Sequence, residues 1–144
     1  MPTTVRLSPT ELFTYIRCRT RVNGEKRFRI EPYRSIDNGR SWQLEEANAI
    51  DNGGNPAHMI RLKDGRLALT YGTRNQPYGI RARLSRDGGK SWTDDIVLRD
   101  DAGTWDLGYP RTVQRTDGKV VTAYYFNDRH QELRYIAATI WSAD

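Results

Sequence analysis

Two short segments of this 144-residue chain set an aspartate among hydroxyls and a glycine at the same spacing. Ser35-Ile36-Asp37-Asn38-Gly39-Arg40-Ser41-Trp42 and Ser85-Arg86-Asp87-Gly88-Gly89-Lys90-Ser91-Trp92 both read S-x-D-x-G-x-S-W. Asp37 and Asp87 could ligate a metal or touch a substrate. The spacing favours another use, a tight turn. There the carboxylate accepts backbone N–H groups, as in Asx-turns, and Gly39 or Gly89 takes positive φ without a Cβ clash. Trp42 and Trp92 then open the next strand and can fold their rings over the hairpin. A second group lies in the segments between the repeats' strands: Asn55, Arg74, Asp106, Tyr109, Asn127 and His130, with His58 and Arg111 just inside adjacent strands. Such polar and aromatic side chains suit a sugar carrying an acidic group, and a guanidinium can hold a carboxylate through two parallel hydrogen bonds.

The elements that must position these residues are strands. Apolar and polar residues alternate with period two, helical patterning is nearly absent, and Asp-Gly, Asn-Gly and Gly-Gly turns punctuate the chain. The octapeptide recurs after 50 residues, Ser35 to Ser85, and Asp64-Gly65 is echoed 53 residues later by Asp117-Gly118. A period near 50 built from short strands predicts four-stranded β-propeller blades. Blade one is expected to use Thr4–Leu7, Leu12–Arg17, Phe28–Arg34 and Trp42–Glu46. Blade two is expected to use His58–Leu62, Leu67–Gly72, Tyr78–Leu84 and Ile96–Arg99. Blade three is expected to use Arg111–Gln114, Val120–Phe126 and Leu133–Trp141, without an outer strand. The expectation is an all-β single domain, 1–144, of three blades at about 1–50, 51–102 and 103–144.

These octapeptides resemble the Asp-boxes of the sialidase (BNR) superfamily, and the chain resembles the C-terminal half of bacterial sialidase-family proteins. Beyond the boxes the resemblance rests on Gly54-Asn55-Pro56-Ala57-His58, Asp64-Gly65-Arg66-Leu67, Tyr71-Gly72-Thr73-Arg74, Pro77-Tyr78-Gly79-Ile80-Arg81-Ala82, Asp106-Leu107-Gly108-Tyr109-Pro110 and Tyr135-Ile136-Ala137-Ala138-Thr139-Ile140-Trp141. It implies a functional face opposite the boxes, formed here by Arg19–Lys26, Asp51–Pro56, Thr73–Pro77, Gly103–Pro110 and Asn127–Glu132. It also implies three arginines clamping a carboxylate, a tyrosine nucleophile paired with a glutamate, and an aspartic acid as acid/base. Arg74 and Arg111 are the candidates for the clamp, and Tyr109 or Tyr124 for the tyrosine. Asp106 is a candidate acid that equally suits a turn before Pro110. Asn55 and His58 are candidates for substrate binding, and His130 reads as a loop tip. Ser35, Asp37, Gly39, Trp42, Ser85, Asp87, Gly89 and Trp92 are structural under this reading.

The pattern also departs from the enzymes. Phe28-Arg29-Ile30-Glu31-Pro32 looks like their Phe/Tyr-Arg-Ile-Pro motif, but Glu31 is inserted and the segment runs straight into Ser35. Arg29 is therefore not assigned the catalytic role. Four readings stay open: a glycoside hydrolase whose site completes on oligomerisation, a non-catalytic carbohydrate-binding module, a remnant propeller, or a nucleic-acid binder drawn by the net charge of +5. The basic residues are dispersed among acidic ones, which argues against nucleic acid. No metal or cofactor is expected. Apolar runs are too short for a membrane span, and the N-terminus lacks a signal-peptide pattern, so a cytoplasmic location is expected unless an upstream segment has been removed. Cys18, the single cysteine, reads as an ordinary strand position. Blade faces left without neighbours lead to the expectation of a homodimer approximating a six-bladed ring.

Overall fold

The computed structural model describes residues 1–128 and 133–144, and among these the chain is all-β. Three antiparallel sheets follow one another in sequence. The first pairs β1 (Pro2–Arg6), β2 (Leu12–Val22), β3 (Glu25–Ser35) and β4 (Gln43–Leu44) in that order. The second pairs β5 (Ala57–Arg61), β6 (Leu67–Thr73), β7 (Gly79–Ser85) and β8 (Ile96–Arg99). The third contains β9 (Gly108–Gln114), β10 (Val120–Phe126) and β11 (Tyr135–Trp141), with β10 in the middle. Hence the strands expected from the period appear in the expected order, as a partial propeller whose third sheet has three strands among the described residues.

Alternation along the strands decides which side chains join the core. Phe13, Tyr15 and Ile30 of the first sheet pack on Ala57, Met59, Leu69 and Tyr71 of the second. Ile60, Ala82 and Leu84 on the other face of the second sheet meet Val120 and Trp141 of the third. Both sides of the middle sheet are therefore apolar, because it is sandwiched between neighbours. Polar groups also tie the blades. The Met59 N–H donates to the Thr3 hydroxyl at 2.8 Å. The hydroxyls of Thr70, Thr112 and Thr122 form a buried chain, at 2.6 and 3.1 Å, which the Trp141 indole N–H extends at 3.0 Å.

Two features differ from expectation. Residues 19–26 are not a loop: β2 and β3 continue as a ladder to Val22 and Glu25, closed by Asn23-Gly24. Both turn residues have positive φ, 51° and 84°, the geometry that lets two residues close a hairpin between right-twisted strands. Trp42 also does not bury its ring. It stays 41% exposed, with its indole N–H donating to the Gly39 carbonyl at 3.2 Å. Trp92 does pack, stacked on Phe13 at 6.5 Å between centroids and edge-on to Tyr15 at 5.9 Å. The difference lies in the neighbours: the second box hairpin rests on the first blade, whereas the first has no blade on that side within this chain.

The boxes behave as turns. The Ser35 hydroxyl donates to Asp37 at 2.8 Å and accepts the Gly39 N–H at 2.8 Å. Asp37 further accepts the backbone N–H of Ser41 at 2.9 Å and the Ser41 hydroxyl at 2.6 Å. Ser85, Asp87, Gly89 and Ser91 repeat the arrangement. Hydrogen bonds from Ser91 hold the Asp87 carboxyl down at about 2, and those from Ser41 depress Asp37 as well. Both carboxylate oxygens of each aspartate therefore accept hydrogen bonds within the turn. No group of three or more His, Cys, Asp or Glu suited to a metal occurs among the described residues. No described helix is long and apolar enough to cross a membrane.

Candidate ligand-binding face

Antiparallel pairing fixes where the site loops lie. In the second sheet Leu67 pairs with Ser85 at the box end and Thr73 with Gly79 at the other end. Arg74 follows Thr73, so it stands at the end away from the boxes. The segment before β9 and the last residues of β10 reach the same end, and Arg17 arrives from β2.

Asn55 organises this face from within. It is fully buried, its amide donates to the Leu107 carbonyl at 2.5 Å, and its carbonyl oxygen accepts the Tyr109 N–H at 3.2 Å. Tyr109 holds φ = 52°, a strained value for a residue with a Cβ. Gly108 before it has φ = 113°, and a Cβ there would come within 2.2 Å of Asn55 Nδ2. Asn55 thus orients Tyr109 from beneath. Register slips by one residue here, so that Tyr125 opposes Gly108, as a β-bulge produces.

The aligned residues converge. Tyr109 and Tyr125 have ring centroids 5.7 Å apart. Arg17 Nη1 donates to the Tyr109 hydroxyl at 3.2 Å. The Tyr125 hydroxyl donates to Asp106 Oδ1 at 2.8 Å, and Arg134 Nε donates to Asp106 Oδ2 at 2.9 Å. Arg74 Nη2 lies 3.5 Å from the Tyr125 hydroxyl, while its Nε has no acceptor among the described residues. The Tyr125 hydrogen bond, with the Arg134 and Arg74 charges, holds the Asp106 carboxyl below the usual aspartate range. At neutral pH Asp106 is therefore an anion, not a proton donor.

Other candidates fall elsewhere. Tyr124 is 2% exposed, its hydroxyl is 2.5 Å from that of Thr139, and its ring lies in the core with Ile80 and Phe126. The tyrosine facing the site is Tyr125, one residue on, because alternation sends neighbours to opposite faces. His58 is half-buried, with Nδ1 accepting the Thr112 N–H at 3.0 Å, and burial lowers its pKa. Arg111 is exposed on β9 two residues beyond Tyr109, with Nη1 donating to the Pro110 carbonyl at 3.3 Å. His130 lies outside the described residues. Sequence reasoning missed Arg17, which alternation presented as one more strand residue, and Tyr125. Arg29 pairs with Glu31 at 2.8 Å and with Glu46 at 2.5 Å at the first blade, away from this cluster. The Cys18 thiol is pushed up to about 11 by burial and by Glu31, so it stays protonated.

The profile of the BNR repeat-like domain family matches residues 2–122. The chain belongs to this family. A protein of unknown function from Dyadobacter fermentans has a solved structure similar to this chain, with 30% identity and a TM-score of 0.73, covering 98% of this chain and 37% of that one. The GH93 α-L-arabinofuranosidase of Fusarium graminearum, solved in complex with arabinobiose, superposes with a TM-score of 0.69 at 13% identity, covering 98% and 44%. A thermostable family-43 glycoside hydrolase gives 0.61 at 15% identity, covering 98% and 47%. No curated relative matches the sequence. The chain spans less than half the length of these structural neighbours, and the last two establish the propeller fold alone.

Proposed function

We propose that this BNR-repeat chain is a glycan-binding half-propeller whose face opposite the Asp-boxes takes an acidic sugar. The observation that carries this reading is the convergence of Arg17, Arg74, Asp106, Tyr109 and Tyr125, drawn from all three blades. Arg74 supplies the carboxylate contact through its terminal nitrogens, one of which lies 3.5 Å from the Tyr125 hydroxyl, while its Nε is buried. Tyr109 and Tyr125 supply the ring surfaces, and Arg111 lies further along β9 as a second cationic contact. The structural neighbours that act on carbohydrates use the same architecture, which supports the class of ligand.

Binding without turnover fits Asp106 better than acid catalysis does. A general acid at neutral pH needs a raised pKa, and Asp106 is shifted the other way. The hydrolase reading keeps one observation in its favour: Tyr125 donates to a carboxylate positioned as a base, although burial and Asp106 push the phenol's pKa up. In that case the site is completed by a second copy. The outer face of the third blade is open and apolar at Val113, Ile136 and Ile140, where the middle blade's corresponding face is covered. A homodimer approximating a six-bladed ring would cover it.

Calorimetric titration with N-acetylneuraminic acid and with galacturonic acid tests the binding reading. Binding by the wild type, lost in Arg74→Ala, supports it; no binding to either acid overturns it. Hydrolysis of a fluorogenic sialoside by the wild type but not by Tyr125→Phe would establish the hydrolase reading instead. Light scattering at micromolar concentration reads the association: twice the chain mass supports the dimer, and a monodisperse monomer rules it out.

A further inference from the structure

Trp105 stands beside this cluster with a large ring turned to solvent. It is 55% exposed, although both blades that flank its loop are present. An isolated exposed apolar residue needs no explanation; the way this one is held does. Asn127 is buried and clamps the loop on either side of the tryptophan. Its Oδ1 accepts the Thr104 N–H at 2.8 Å, and its Nδ2 donates to the Asp106 carbonyl at 2.7 Å. Leu107 is fully buried, and its N–H donates to the Trp105 carbonyl at 3.0 Å. The indole is therefore presented by a loop pinned from below, not by a loose tip.

The Arg74 guanidinium carbon lies 5.2 Å from the Trp105 ring centroid. The same guanidinium reaches Tyr125, which is bonded to Asp106. Gly53 packs closely on the base of the arginine: it has φ = 71°, and a Cβ there would come within 2.6 Å of Arg74 Cβ. One arginine thus links the acidic-sugar subsite to an exposed aromatic surface. A rigid aromatic ring beside a few fixed polar groups is the usual composition of a small-ligand site.

We infer that Trp105 is a stacking platform for a second, neutral sugar ring, so that the ligand is an acidic oligosaccharide rather than a monosaccharide. This deepens the acidic-sugar reading and rests on it for the identity of the first ring. The second ring lays its apolar C–H face on the indole, while its hydroxyls stay in water. The two subsites are joined through Arg74, which stacks near the indole and faces the carboxylate.

The test compares wild type, Trp105→Ala and Trp105→Phe against N-acetylneuraminic acid, lactose and sialyllactose, by calorimetry and by tryptophan fluorescence. Wild type is expected to bind sialyllactose about tenfold more tightly than N-acetylneuraminic acid. Trp105→Ala should lose that advantage, weakening sialyllactose more than N-acetylneuraminic acid, and Trp105→Phe should keep part of it. Equal affinities of wild type and Trp105→Ala for sialyllactose, or equal losses for both ligands, overturn the platform. If wild type binds neither N-acetylneuraminic acid nor galacturonic acid, the acidic-sugar reading fails by itself. The platform is then judged on lactose and sialyllactose: a fluorescence change in wild type that Trp105→Ala lacks supports it, and no change in wild type overturns it.

Discussion

Gly89 of the second Asp-box lies flat against the ring of Phe13 in the first blade, so close that a Cβ on Gly89 would come within 2.4 Å of Phe13 Cε1. The box is therefore a joint between blades as well as a turn within one. Gly89 also holds φ = 88°, whereas the matching Gly39, at φ = 87°, would place its Cβ no nearer than 3.4 Å to Leu12. Gly89→Ala adds a steric clash to the left-handed strain and should cost about 2–5 kcal/mol, while Gly39→Ala should cost about 1–2 kcal/mol. Thermal melts of the two variants check the order: Gly39→Ala falling as far as Gly89→Ala would remove the joint.

The two box tryptophans should separate in the same way. Trp92 packs on Phe13 and Tyr15, so Trp92→Ala should cost about 3–5 kcal/mol. Trp42, exposed on one side, should cost about 1 kcal/mol, within the ordinary range for point substitutions. Equal melting temperatures for the two variants would contradict this packing.

Replacing Asn55 should weaken fold and site together. Asn55→Ala leaves the buried Leu107 carbonyl without its donor, which should cost about 1–3 kcal/mol. It also releases the strained Tyr109 backbone. The expected result is a lowered melting temperature with reduced affinity for the proposed acidic sugar, although Asn55 itself is fully buried. Unchanged hydrogen exchange at the Tyr109 amide would show that the Asn55 bond does not hold this turn.

Acid should loosen the chain in two steps. His58 has a folded pKa below its ordinary value near 6.5, because burial and the Arg111 charge disfavour the cation. A base shifted down stabilises the fold fully above that value and loses the contribution as pH falls below it. Protonating Nδ1 also ends its role as acceptor for Thr112. The melting temperature should fall between pH 7 and pH 5.5 in wild type, and less in His58→Asn. The second step belongs to Asp87, held at about 2. Its contribution is full above the usual aspartate range near 4 and is lost as pH falls toward 2, a slope that Asp87→Asn should flatten.

Much of the architecture was legible before any coordinates. The octapeptides at Ser35 and Ser85, repeated at a fixed period, determine the hairpins, because Ser, Asp and Gly at those spacings close the turn with local hydrogen bonds alone. Alternation and the repeat determined the strands seen among the described residues, and their order. The strand end beyond Arg17 was missed although Asn23-Gly24 carries a strong hairpin signal, since the charged residues around it read as loop. Alternation also requires that Tyr124 and Tyr125 face opposite ways, but parity is relative and does not say which side is core. That was decided by the covering residues Ile80 and Thr139, remote in sequence. Trp42 and Trp92 occupy the same motif position and differ only in whether a blade lies beneath them. The cluster of Arg17, Arg74, Asp106, Tyr109 and Tyr125 depended wholly on tertiary structure. Arg17 and Tyr109 are 92 positions apart, and only the stacking of three blades, with Asn55 buried between them, brings a strand arginine to a strained tyrosine.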